Sequence, residues 1–151
     1  MKSVLIIGLG RFGMYMAKKF TELGNHVMAL DTDEEKINEI LPFVTSAQIG
    51  DGTKAAVLES IGIDNFDICV VCVGENFQSS LESTSLLKEA GAKFVLSRAS
   101  TEIQAKFLLR NGADEVVFAE KEMAERLAVK YSANNIFDYI QLTNEYAIYE
   151  I

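Results

Sequence analysis

The sequence predicts an α/β fold in which a doubly wound, parallel six-stranded sheet carries helices on both faces. Three observations predict it. Short β-branched runs alternate with longer amphipathic ones, the pattern of repeated β-α units. Two of the short runs, Val4-Leu5-Ile6-Ile7 and Ile68 to Val73, are almost unbroken apolar stretches, as strands covered on both faces should be. Glycines stand just past four helical stretches, at Gly24, Gly62, Gly91 and Gly112, where a left-handed residue stops a helix. Right-handed crossovers then place helices on both sides of the sheet.

In chain order, the apolar run at Ser3 to Ile7 is the first strand, and an amphipathic helix from Phe12 to Leu23 ends at Gly24. The second strand, His26 to Leu30, leads to Asp33, a suitable N-cap for an acid-led helix from Glu34 to Ile40. Pro42, the single proline, precedes a third strand at Val44 to Ile49. A helix from Lys54 to Ile61 stops at Gly62, and the fourth strand is Ile68 to Val73. Phe77 to Ala90 forms a helix closed by Gly91, followed by a strand at Phe94 to Ser97. Glu102 to Asn111 is helical up to Gly112, and Glu115 to Phe118 is the sixth strand. The last helix runs from Lys121 to about Ser132, where Glu120 and Glu122 complement the dipole.

Residues 1–133 thus read as one domain, and residues 134–151 as an apolar tail crowded with Ile136, Phe137, Tyr139, Ile140 and Leu142. Such a tail either folds back on its own domain or packs on another chain or on a further C-terminal lobe.

Size and charge exclude several functions. With 151 residues and 49% hydrophobic side chains, the chain can bury a core without disulfide or metal. It is short for a dehydrogenase that adds a substrate domain to its cofactor domain. A net charge of −8 with no Lys/Arg cluster argues against nucleic acid as a partner. No apolar run reaches the length of a membrane span, so the expectation is a cytoplasmic chain without direct membrane insertion. Cys69 and Cys72 spell CxxC, but three residues apart on a strand they point to opposite faces and read as core.

The sharpest motif is Gly8-Leu9-Gly10-Arg11-Phe12-Gly13, a GxGxxG between an apolar strand and an amphipathic helix. In that context Gly8 makes the tight turn, Gly10 admits a pyrophosphate close to the backbone, and Gly13 lets helix and strand pack closely. The helix N-terminus offers N–H groups and partial positive charge to phosphates. Asp31, 18 residues after Gly13, stands where this Rossmann-like fingerprint places an acceptor for ribose hydroxyls. Thr32-Asp33-Glu34-Glu35 follows, with no arginine to meet a 2′-phosphate, which disfavours NADP.

Arg11 either neutralises phosphate oxygens or is an ordinary surface arginine. In Gly50-Asp51-Gly52-Thr53, Thr53 is a candidate cap for the next helix, and Asp51 either caps or accepts from an adenine amino group. Gly74 leaves room for a ligand after the fourth strand, beside Glu75, which tolerates phosphates only through a bridging cation. Phe12, Thr32 and Gly52 lie within these segments and are counted as ligand-contacting. Catalytic motifs are lacking, and His26, the single histidine, begins a strand at the end away from the glycine loop.

The run from Val4 to Gly13, Asp31, the Gly-Asp-x-Thr segment and the late Asn111-Gly112-Ala113-Asp114 with Glu120-Lys121 resemble an RCK domain, also called KTN and TrkA-N-like. These are cytosolic nucleotide-binding subunits of Trk and Ktr potassium-uptake systems and of some potassium channels. The resemblance implies a regulator, not an enzyme. It would bind ATP/ADP or NAD(H), form homodimers that assemble into a ring, and gate a membrane potassium transporter or channel subunit from the cytoplasmic face.

It further implies that Arg11 senses the terminal phosphate of ATP, that Arg98 is the basic residue members often carry at the end of the fifth strand and belongs with the cofactor-binding residues, and that Glu120 holds an intersubunit divalent cation, Mg or Ca. The tail would begin the family's smaller C-terminal lobe. The alternative function is a small NAD-dependent oxidoreductase, against which the lack of a hydride-transfer acid or base counts. A redox-sensing repressor would need a DNA-binding element and a basic face, and neither is visible.

Overall fold

A computed structural model describes residues 1–73 and 76–133, so Gly74, Glu75 and the apolar tail lie outside the described residues. Six strands, β1 (Ser3–Ile7), β2 (His26–Asp31), β3 (Ser46–Ile49), β4 (Ile68–Val71), β5 (Val95–Arg98) and β6 (Glu115–Val117), form one sheet. Between them run α1 (Arg11–Glu22), α2 (Glu34–Ile40), α3 (Ala55–Ile61), α4 (Phe77–Glu89) and α5 (Glu102–Arg110), and α6 (Ala119–Ser132) follows β6. The strand order is β3-β2-β1-β4-β5-β6 and every pairing is parallel. This is the Rossmann order, and it reverses direction between β1 and β4, leaving a crevice at their carboxyl ends.

The period of two along a strand divides the core. On β1, Val4 and Ile6 pack with Val27, Ala29 and Val70 against Ala17, Ile37 and Ile40 of α1 and α2. Leu5 and Ile7 pack on the other face with Cys69, Val71 and Val95 against Leu58 of α3 and Leu87 of α4. Cys72 belongs to the first cluster and Cys69 to the second, so the CxxC is split across the sheet, as expected. Burial pushes both thiols up to about 12. The four helix-stopping glycines all have positive φ.

Element boundaries differ by a residue or two from the expectation. β3 starts at Ser46 rather than Val44, because Leu41–Phe43 closes a 3-10 turn around Pro42. Val71 ends β4, although the Cys72 N–H still donates to the Ile7 carbonyl at 2.7 Å. Thr53 does not cap α3: the N-cap is Lys54, and no side chain caps it. Asp33 does cap α2, accepting from the Glu35 N–H at 2.9 Å. The chain divides into two compact units between Val117 and Phe118. α6 belongs to the second, with Glu120 and Glu122 in its first turn.

Candidate functional site

The crevice is built on the turn from β1 to α1. Gly8 has φ +97°, and its N–H donates to the Leu30 carbonyl at 2.9 Å. A Cβ there would lie 2.8 Å from the Cys72 backbone, so only glycine lets the turn cross the end of β4. At Gly13 a Cβ would lie 1.9 Å from the Gly8 carbonyl oxygen, which makes this glycine the close contact between α1 and the turn. α1 begins after Gly10 with no side-chain cap and no acid in its first turn. Its first N–H groups are left to an anion, as the motif predicts.

Two cavities flank Gly8 and Asp31. The larger, about 720 Å³, is lined by Gly8 to Phe12, Asp31, Lys36, Cys72, Val73, Arg98 and Ser100. The smaller, about 230 Å³, lies between β1, β2 and the β3–α3 loop, lined by Ile7, Asp31, Thr32, Gly50 to Thr53, Val73, Ser79 and Ser83 among others. Most of the residues expected from sequence therefore converge. Gly8, Gly10, Arg11, Phe12, Asp31 and Arg98 meet at the first cavity, and Asp31, Thr32, Asp51 and Gly52 at the second. Gly13 lines neither; it is buried in α1. Gly74 is outside the described residues, and Glu120 sits in α6 of the other unit. Among the described residues no cluster of three His, Cys, Asp or Glu side chains could hold a metal.

Asp31 is already engaged. Oδ2 accepts from the Leu9 N–H at 2.7 Å and Oδ1 from the Asp33 N–H at 2.8 Å. Each carboxylate oxygen keeps a lone pair for a ligand hydroxyl. At Asp51, Oδ1 accepts from both the N–H and the hydroxyl of Thr53, at 2.9 and 2.7 Å, leaving Oδ2 for a ligand donor. The Thr53 hydroxyl, then its N–H, hold the Asp51 carboxyl below its ordinary range.

The charge of the larger cavity is positive although the chain is acidic. Three cations, Arg11, Lys36 and Arg98, face a single carboxylate. The Arg98 guanidinium lies 5.6 Å from the centre of the Phe12 ring, and its Nε is buried without a hydrogen-bond partner. A buried cationic donor lacking an acceptor fits an anionic ligand. Lys36, Ser100, Ser79 and Ser83 were not singled out in the sequence. For Lys36 the signal was position: it stands on the first turn after Asp31, where α2 folds back beside the glycine loop.

Residues 4–119 match the model of the TrkA-N domain. The chain belongs to the TrkA-N domain family. This TrkA-N domain is 41% identical over 150 residues to Ktr system potassium uptake protein C of Bacillus subtilis, covering 99% of the chain and 68% of that protein. Among solved structures it is similar to the NAD(P)-binding domain of an exopolyphosphatase-related protein from Archaeoglobus fulgidus, with a TM-score of 0.78 at 20% identity, covering 87% of this chain and 98% of that one. It is also similar to the Shewanella denitrificans Kef CTD in AMP-bound form, with a TM-score of 0.77 at 20% identity, covering 98% of this chain and 92% of that one. At that identity the two structures establish the fold alone. No helix among the described residues is long and apolar enough to cross a membrane.

Proposed function

We propose that this TrkA-N chain is the cytoplasmic nucleotide-sensing subunit of a membrane potassium transporter or channel. It binds ATP/ADP or NAD(H) and transmits ligand exchange to its membrane partner through homodimers assembled into a ring. The observation that carries the reading is the pairing of an uncapped glycine-loop helix with the Asp31 carboxylate in one cavity. The N–H groups of α1 and the cations Arg11, Lys36 and Arg98 suit phosphates, and Asp31 suits ribose hydroxyls. The smaller cavity, with Asp51 Oδ2 as acceptor, suits the base.

Similarity to a potassium uptake protein supports the transport role, and the AMP-bound and NAD(P)-binding neighbours support the ligand class. Asp31 with Glu34 and Glu35 disfavours a 2′-phosphate, so NADP is the poorer ligand despite Lys36. Glu120, in the first turn of α6, would hold a divalent cation, Mg or Ca, between subunits. The oxidoreductase alternative is the weaker one, since His26 is exposed at the start of β2, away from the cavities.

Thermal unfolding with ATP, ADP, NAD, NADH and NADPH tests the reading. A ligand at a hundred times its Kd adds about 2.7 kcal/mol, or roughly 5–10 °C for a chain of this size. Adenine nucleotides are expected to give such shifts and NADPH a smaller one. No shift with any nucleotide would remove the function proposed.

A further inference from the structure

α4 turns an unusual face to the sheet. Its buried residues are Ser80, Ser83, Thr84 and Leu87, at the i, i+3, i+4 and i+7 spacing of one helical stripe. Three of the four carry hydroxyls where a helix covering a sheet ordinarily presents apolar groups. With Ser97 of β5, these three account for the buried polar residues of the described chain.

Helical serines and threonines commonly return their hydroxyl to the carbonyl four residues back. Here each hydroxyl leaves its helix. Ser80 Oγ donates to the Val73 carbonyl at 2.9 Å, on the segment leaving β4. Ser83 Oγ donates to the Gly52 carbonyl at 2.9 Å, in the loop leaving β3. Thr84 Oγ1 and Ser97 Oγ share a hydrogen bond of 2.7 Å, one residue before Arg98. The three contacts fall at the carboxyl ends of three strands, where the cavities open. Val73 lines both cavities, Gly52 the smaller and Arg98 the larger.

We propose that Ser80, Ser83 and Thr84 are positioning residues: α4 holds the three ligand-facing segments after β3, β4 and β5 in one frame, so that base and phosphate sites move together. The proposal rests on the nucleotide reading above. Ser83 borders the smaller cavity but is 0% exposed and its hydroxyl proton is given to the Gly52 carbonyl, so it acts through Gly52 rather than on the ligand. Gly52 is itself wedged, since a Cβ there would lie 2.6 Å from Ile7 Cγ2 and 3.4 Å from Ser83 Oγ. Small side chains alone would also let α4 approach the sheet; alanine keeps that smallness and removes the hydroxyl.

The test is calorimetric titration of the full chain, Ser83→Ala and Ser80→Ala with ADP and with inorganic pyrophosphate, which engages the glycine loop without the base pocket. Amide exchange is followed in the ligand-free proteins. Ser83→Ala is expected to raise the Kd for ADP about threefold to tenfold, the effect of losing one hydrogen bond, and to leave pyrophosphate within about twofold. Thr53 and Lys54 amides should exchange faster while those of β1 do not. Unchanged ADP affinity in both variants would overturn the positioning role and leave the nucleotide reading intact. Equal weakening of ADP and pyrophosphate by Ser83→Ala, whose partner Gly52 lines only the smaller cavity, or exchange that rises equally in β1, would reduce the hydroxyls to general packing and also overturn it. A parent chain that binds neither probe would overturn the nucleotide reading and this proposal with it.

Discussion

The Asp31 carboxylate accepts the backbone N–H of Leu9 at 2.7 Å, tying the end of β2 to the middle of the glycine loop. Its other oxygen accepts from Asp33, which caps α2. The acid that the motif assigns to ribose is therefore also the residue that fixes the phosphate loop beside it. Charge-assisted hydrogen bonds of this kind are the stronger ones.

Asp31→Ala should accordingly lose affinity and stability together. Calorimetry is expected to show at least about a tenfold weaker adenine nucleotide, and urea unfolding a loss of about 1–3 kcal/mol. Asp31→Asn, which keeps the size and one acceptor oxygen, should fall between. A stable, tightly binding Asp31→Ala protein would remove Asp31 from both roles.

The glycines separate fold from binding. Gly13→Ala drives a methyl group into the Gly8 carbonyl, 1.9 Å from where the Cβ would lie, and should cost at least about 3 kcal/mol in urea unfolding. Nothing lies within 4 Å of a Cβ at Gly10, whose φ of −68° suits any residue. Gly10→Ala should stay within about 1 kcal/mol of the parent yet bind nucleotide about tenfold more weakly, because the methyl group occupies the phosphate's approach.

Arg11 opens α1 and lines both the large cavity and the neighbouring groove beside Tyr15 and Lys18. If it meets the terminal phosphate, Arg11→Ala should weaken ATP about tenfold and ADP about twofold. Equal weakening in titrations would make it a general contributor to the cavity's charge.

Much of this was legible because it is local. The six strands and their parallel, doubly wound arrangement follow from apolar runs and crossover rules, and helix ends follow from glycines whose φ is positive in the fold. Gly8 and Asp31 announced themselves by spacing. What could not be read depends on reach across the fold. Lys36 lines the cavity because α2 folds back beside the glycine loop, and the orphaned Arg98 Nε depends on its packing against Phe12. The serines of α4 looked like ordinary helix residues until their partners on three strand ends were in view. Thr53 looked like a cap, but its hydroxyl goes to Asp51.

Two carboxylates contribute an acid-sensitive part of the stability. Burial raises the Asp114 carboxyl, but the Val95 N–H and Lys88, 3.0 Å away, together bring it below its ordinary value. Asp51 is lowered by Thr53. A depressed folded value means that the stabilisation is complete above the unfolded carboxylate range and is lost as pH falls through the folded one. Urea midpoints should hold from neutrality to about pH 5 and decline below it, less steeply in Asp114→Asn. An identical acid profile in that variant would contradict the assignment.

In the nucleotide complex, phosphates are expected on the N-terminus of α1 while Asp31 holds the ribose. A crystal structure of the chain with ADP decides this. Phosphate oxygens within hydrogen-bond distance of the Gly10 to Phe12 amides, with ribose hydroxyls on Asp31 and the base beside Asp51, are the predicted result. ADP bound elsewhere, or bound with its ribose away from Asp31, would contradict it.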